Sequence, residues 1–472
     1  MKKKPIKFGT DGWRAKIADD LTFENIRLVA QALADYILEK GTASKGIAIG
    51  YDNRFQSENF ARAAAEVLSG AGIKTLLSNK AVSSPAVSFT VNNMGLASGI
   101  MITASHNPPS WNGFKIKEDF GGSAVPETTR AVERNLQDTL HLTPSGKNIQ
   151  IIDIFPAYLA KIKSLVDFNL LKSNESKIKM VVDPMFGSGA GCFKALGLKV
   201  KEIRGTRNPL FGGVNPEPLP INLEESISFV KEFALEHPAE LTACIVLDGD
   251  ADRVAAIDGS GRFINSHNIF ALLLHHLIVH RGLSGSVVKT FNISNLIDKM
   301  CAVHQRKLQT VPIGFKHVAD LMIKEDILLG GEESGGMGIK GFIPERDGIL
   351  AGLMLMELMA QEKKTLAQIL DALMQEHGFF YYDRIDLHTE KAQDVVKQLS
   401  VAPPDTFAGK PITRVETLDG LKFNFADESW ILFRASGTEP LLRIYVEARR
   451  PEDLRLLLAT VPSQISLSLQ SS

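Results

Sequence analysis

The 472-residue chain sets 53 Lys+Arg against 54 Asp+Glu, a formal charge of −1, so no broad positive field exists to gather nucleic acid or anionic lipid. With 44% hydrophobic residues, 23% charged residues and 21 prolines, the composition excludes a disordered or fibrous chain. At ~100–200 residues per domain the length predicts three or four domains, and four are expected.

In chain order, the start "MKKKPIKFGTDGW" has lysines with no apolar stretch behind them and lacks the centre of a secretory signal. A cytoplasmic protein is expected. Within it "FGTDGWR" presents Arg14 after a tight glycine turn, as an ordinary surface cation or a functional one. Residues 45–77 read as strand, polar loop, Ala-rich helix, glycine stop and strand, a β-α-β unit. "TASHNPPSWNGFK", 103–115, follows the apolar run Ile100 to Ile102 and holds Ser105 and Lys115. Taken alone, Ser105 reads as a turn former beside proline and Lys115 as a surface cation; no G-x-S-x-G elbow is present.

A break is expected near 145, and 178–203 repeats the strand, Gly/Ser loop, helix and strand order. After the strand in "LTACIVLDGDADR", Asp248, Asp250 and Asp252 alternate, so a looped backbone would aim all three one way. Clustered hard oxygens suit Mg²⁺, against a solvated acidic turn. A calcium helix-loop-helix fails because Arg253 and Gly259 stand where that loop needs glycine and glutamate. A turn near 258 marks another break. "IFALLLHHLIVH", 269–280, is too short and too broken by histidine to span a membrane. His276 and His280 have the spacing of a zinc helix, but no glutamate follows His276, and both are expected to be helix-end histidines.

Residues 285–311 give a further strand, Asn/Ser cap and helix. "GGEESGG", 330–336, is either a flexible turn or a loop able to approach a polyol closely. "RDGILAGLMLMELMAQ" is apolar around most of its circumference and predicts a buried helix capped by Asp347. A last break falls near 378. Beyond it, "RASGTEP", 434–440, offers a guanidinium, two hydroxyls and a possible anion nest. Leu442, Ile444, Val446 and Ala448 alternate with Arg443, Tyr445, Glu447 and Arg449, predicting a strand with one wet face. Cys192, Cys244 and Cys301 sit among apolar neighbours, as buried thiols do.

"FGTDGWR", "TASHNP", "DGDADR", "GEESGG" and "RASGTEP", in that order and spanning nearly the whole chain, resemble the α-D-phosphohexomutase family of phosphoglucomutases and phosphomannomutases. The resemblance implies three related α/β domains with mixed sheets (1–150, 151–257 and 258–370) and a smaller C-terminal α+β domain (371–472). It implies that Ser105 carries a transferable phosphoryl group, and that Asp248, Asp250 and Asp252 hold Mg²⁺ with the phosphoserine completing the site. Arg14, Arg253 and Lys115 would offset the phosphate charge, with Lys115 a candidate for proton transfer. Glu332 and Ser334 match sugar-contact positions, and Lys316 a substrate-contacting lysine. Arg434, Ser436, Gly437 and Thr438, with Arg443 on the next strand, match a phosphate clamp.

The implied reaction interconverts hexose 1- and 6-phosphates through a hexose 1,6-bisphosphate, glucose first and mannose second. The "GEESGG" form looks less like that of phosphoglucosamine mutases. Sugar phosphates are the expected partners of a monomer or homodimer, without nucleic acid or membrane, and a hinge is expected at 365–380. Gly335 and Gly336 follow Ser334, so the histidine that several relatives carry there is missing. A glucose-1,6-bisphosphate synthase with the same serine is the neighbouring alternative, and a metal-dependent phosphatase another. A non-catalytic sugar-phosphate sensor would have lost Ser105 or an aspartate, and neither is lost.

Overall fold

Four sheets in succession build the computed structural model, which describes residues 6–9, 11–436 and 440–470. The first has the order Trp13–Lys16, Trp111–Glu118, Ser98–Ile102, Ile47–Tyr51, Thr75–Ser78, Ile149–Ile152. Its centre is parallel, and Ile47–Tyr51 is buried along its whole length, as a strand covered by helices on both faces must be. The helix Ser57–Gly70 ends on a glycine whose Cβ would fall 2.0 Å from the Thr143 carbonyl, so only glycine lets the 140s loop close over that helix end.

The second sheet runs Phe263–Ile264, Val254–Asp258, Leu241–Leu247, Ile178–Asp183, Val200–Glu202, and the third Leu308–Val311, Ser286–Thr290, Ile327–Gly331, Met337–Ile339. One pattern recurs in all three. A strand with a parallel neighbour turns back into an antiparallel one: Ser98–Ile102 into Trp111–Glu118, Leu241–Leu247 into Val254–Asp258, Ile327–Gly331 into Met337–Ile339. The connecting turns are 103–110, 248–253 and 332–336, the three polar motifs of the sequence. Each therefore lies at the carboxyl end of a parallel strand, where open α/β sheets concentrate their chemistry.

The fourth sheet is antiparallel throughout, with Tyr381–His388, Leu441–Ala448 and Trp430–Ala435 as neighbours at one end. Leu442, Ile444, Val446 and Ala448 enter its core as the alternation predicts. The face expected to be wet is covered. Tyr445 and Glu447 are buried, because that face docks on the third unit: Glu447 accepts hydrogen bonds from the Asn295 amide and the Trp430 indole, both 2.9 Å, and Tyr445 clusters with Phe291 and Trp430.

The helix Gly348–Glu362 is buried from Gly348 to Ala360, and the Asp347 carboxylate caps it by accepting from the Leu350 amide at 2.9 Å. A Cβ on Gly352 would meet Ile245 at 2.7 Å, so this helix lies against the second sheet, and the second and third units share one apolar core. Burial pushes the Asp347 carboxyl up to about 7. The folded protein thus holds that proton more tightly than the unfolded chain, and the resulting stability is complete in acid and lost as pH rises through about 7. Asp347→Asn, which keeps a capping oxygen, is expected to flatten the fall in unfolding temperature between about pH 5 and pH 8; calorimetric scans across that range check it.

Most of the span 365–380, where a hinge is expected, is regular structure. Leu366–His377 is a helix with a capping box between Thr365 and Gln368, leaving Gly378 to Phe380 as the link into Tyr381–His388. No helix among the described residues is long and apolar enough to cross a membrane; residues 269–280 fold as the helix Ser266–His275 followed by a π turn, His276–His280. The three cysteines are buried and unpaired.

Candidate active site

The turn after Ser98–Ile102 is held from beneath by Arg54, which has no exposed surface. Its guanidinium donates to the backbone carbonyls of Ser105, Asn107, Pro108 and Trp111 at 2.7–3.0 Å. Asp52 fixes that fork at 3.2 Å and accepts from Thr103 and Ser57. Ser105 sits at φ 51°, a left-handed conformation uncommon for a residue with a Cβ, and the Arg54 clamp is what stabilises it. Arg54 escaped the sequence reading, where "YDNRF" is only a polar loop.

Ser105 meets the metal loop directly. Its hydroxyl donates to Asp248 Oδ2 at 2.7 Å, with His106 Nδ1 at 3.3 Å. Gly249 makes the approach possible, since a Cβ there would lie 2.4 Å from the Ser105 carbonyl. Asp248, Asp250 and Asp252 are fully buried, and one oxygen of each lies within 4.8 Å of the others. Oδ1 of Asp250 and Oδ1 of Asp252 find no hydrogen-bond partner among the described residues, an expensive state for buried carboxylates. Burial and the two neighbouring carboxylates push Asp248 up. Burial acts on Asp250 in the same direction but is outweighed by Lys115, which holds it below the usual range.

Lys115 is buried with its ammonium 2.7 Å from Asp11, 2.8 Å from Asp250 and 3.4 Å from Asp252. Burial alone would lower its pKa, but those three carboxylates overcome it and keep the lysine charged. Arg14 donates to Asn107 at 2.8 Å, and Arg253 stands 4.0 Å from Asp248 and 3.9 Å from Asp252. Burial, reinforced by Arg253, Arg14, Lys115 and Arg54, holds the His106 imidazole well below its ordinary pKa and therefore neutral.

Arg346 ties the motifs together. It lies 2.9 Å from Asp11, 2.8 Å from Asp252 and 3.1 Å from Glu332, one carboxylate from each of the first three units. Glu332 also accepts from Ser334 at 2.5 Å, while Glu333 turns the other way to Tyr382 and Arg384 of the fourth unit, both 3.0 Å. Gly336 has a plain reason: a Cβ there would fall 2.2 Å from the Arg346 side chain, leaving no room for a histidine. Asp11 and Arg346 were also missed, although Asp11 lies within a quoted motif and Arg346 beside the capping aspartate.

These parts border one cleft of about 1480 Å³ lined by all four units. Arg14, Arg253, Lys316, Glu332, Arg434 and Arg443 line it; Ser105 lies just beneath its wall at His106. Arg434 and Arg443 face each other across adjacent strands, an unfavourable pairing of like charges. Arg434 donates to Asp419 at 3.0 Å, whereas Nε of Arg443 has no hydrogen-bond partner among the described residues. The Ser436 amide closes the strand pair on the Leu441 carbonyl at 2.8 Å; Gly437 and Thr438 lie outside the described residues.

Family models of phosphoglucomutase/phosphomannomutase match residues 5–141 (alpha/beta/alpha domain I), 156–261 (domain II), 265–377 (domain III) and 384–461 (C-terminal domain). The chain belongs to this family. It is an isomerase of the intramolecular phosphotransferase type. It is 30% identical to a phosphoglucomutase/phosphomannomutase of Thermococcus kodakarensis, over 95% of this chain and 96% of that one. It is also 30% identical to a phosphoglucosamine mutase of Methanococcus vannielii, over 94% of each. The crystal structure of a candidate phosphomannomutase from Thermus thermophilus superposes with a TM-score of 0.87 at 34% identity, covering 98% of this phosphohexomutase and all of the other chain. Relatives at equal identity thus act under different hexose names, and overall similarity does not choose among glucose, mannose and glucosamine.

Proposed function

We propose that this phosphohexomutase interconverts hexose 1-phosphate and hexose 6-phosphate, with glucose as first substrate and mannose as second, through phosphorylated Ser105 and a hexose 1,6-bisphosphate. The reading rests above all on the Ser105 hydroxyl lying 2.7 Å from Asp248, at a buried carboxylate trio just beneath the wall of a four-unit cleft that His106 and Arg253 line. In the forward half-reaction the bond from phosphorus to Ser105 Oγ breaks as one forms to the free sugar hydroxyl oxygen, whose proton is passed on so that Oγ leaves as the serine hydroxyl. The return half-reaction passes the other phosphoryl group of the bisphosphate back to Oγ.

The trio fits Mg²⁺: its donors are hard oxygens, and two of them lack partners. When bound, that ion would neutralise charge on the transferring phosphoryl oxygens. Around it the chain supplies positioning and positive charge, which dominate phosphoryl transfer. Arg14, Arg253 and Lys115 flank the serine, and Lys115, held as an ammonium, offsets phosphate charge and is the candidate for proton transfer at the attacking hydroxyl. Glu332 and Ser334 would hold ring hydroxyls and Lys316 the substrate, while Arg434, Arg443 and Ser436 would grip the phosphate that is not reacting.

A coupled assay tests the reading. Glucose 1-phosphate is expected to turn over with Mg²⁺ and a catalytic amount of glucose 1,6-bisphosphate, and to stop on chelation. A need for stoichiometric fructose 1,6-bisphosphate would replace the mutase with a bisphosphate synthase. Arg443→Leu is expected to raise KM for the hexose phosphate by roughly 10- to 100-fold with a smaller change in kcat, as loss of a charge-assisted contact should. Steady-state kinetics decide it.

A further inference from the structure

Two helices that begin at the cleft end together on the far side of the third unit. Ser266–His275 starts beside cleft residues Ser266 and His267, and Gly348–Glu362 starts after Arg346. At 1.5 Å per residue their far ends lie roughly 15–22 Å from those starts. There the first helix passes into the π turn His276–His280, in which the Arg281 amide donates to the His276 carbonyl at 3.0 Å. Residues five apart on an α-helix diverge by roughly 140°. The wider turn instead aligns His275 with His280, their ring centres 5.3 Å apart and their planes at 85°. Nε2 of His275 and Nε2 of His280 both converge on Oε1 of Glu362, at 3.2 and 2.9 Å.

We propose that His275, His280 and Glu362 form a binding site for a divalent zinc-class ion, separate from the aspartate trio. Two imidazoles and one carboxylate, with a fourth position left to solvent, are a ligand set that suits zinc and not Mg²⁺. Metal–ligand bonds of ~2.0–2.1 Å in a tetrahedron put donors ~3.3–3.4 Å apart. The two histidine–carboxylate separations, 2.9 and 3.2 Å, need to open by only a few tenths of an ångström, and one ligand atom of each of the three residues lies within 4.8 Å of the others.

Lys364 holds the other Glu362 oxygen at 3.0 Å, which leaves Oε1 as the single donor and fixes its direction. All three residues are 16–17% exposed, enough for an ion to enter. A cation there also faces the negative ends of two helices. The ion would clamp two helix ends together, remote from the chemistry.

The test uses the full chain, freed of transition metals and kept in millimolar Mg²⁺ so that the aspartates are engaged. Zn²⁺ titrated against a chromophoric chelator is expected to bind at one per chain, and Co²⁺ to give the strong visible absorption of a four-coordinate site. His280→Ala and Glu362→Gln should each weaken Zn²⁺ by on the order of 100-fold while keeping Mg²⁺-dependent mutase turnover. Asp250→Asn should keep the Zn²⁺. Equal binding by wild type and His280→Ala, absence of binding by wild type at tens of micromolar, or loss of the ion in Asp250→Asn would each overturn the assignment.

Discussion

Ser105→Ala is expected to cut mutase turnover by on the order of 10⁴-fold or more, because it removes the hydroxyl that meets Asp248 just beneath the cleft wall, while the other serine at the carboxylate trio, Ser84, is fully buried and donates to Asp250. Folding should survive. The Arg54 clamp grips backbone carbonyls, which alanine retains, and the main loss is the 2.7 Å bond to Asp248. Intact mass after incubation with glucose 1,6-bisphosphate should find one phosphoryl group on the wild type and none on the variant. Residual turnover above a hundredth of wild type, or a phosphorylated variant, would sink the role given to Ser105.

Arg346→Met should produce the largest loss of stability. Asp11, Asp252 and Glu332 converge on one guanidinium that is 4% exposed. Removing it leaves Asp11 and Asp252 to share Lys115 and leaves Glu332 without an ion-pair partner among the described residues, at a cost of about 3–5 kcal/mol. The first calorimetric transition should fall by roughly 10 °C. Arg346→Lys should recover part of that loss but little turnover, since an ammonium cannot address three partners from a planar fork. Scans of Arg346→Met that overlay the wild type would mean that the three carboxylates find other partners.

The site's strand-end loops were legible because a buried apolar run followed by polar residues has one physical meaning in an α/β fold. The three aspartates stood out that way, whereas Ser105 and Glu332 read as turn residues until the order of the five motifs gave them expected roles. Their supports were not legible. Arg346 is 335 residues from Asp11, and Arg54 is 51 from the serine loop it holds, so nothing local connects them. The alternation over 442–449 sorted the two faces correctly but carried no information on what covers Tyr445 and Glu447. The histidine spacing gave only helix-end residues, because it assumes 3.6 residues per turn, and the π turn brings His275 rather than His276 to share Glu362 with His280.

The opposed pair Arg434 and Arg443 carries a consequence for regulation by supply. Under the proposed role, a sugar phosphate adds negative charge beside a pair of which Asp419 meets only Arg434 among the described residues, so occupancy and the seating of the C-terminal sheet rise together. A neutral sugar of the same shape brings none. Discrimination would then begin with the charge of the ester, before any hydroxyl of the ring is read.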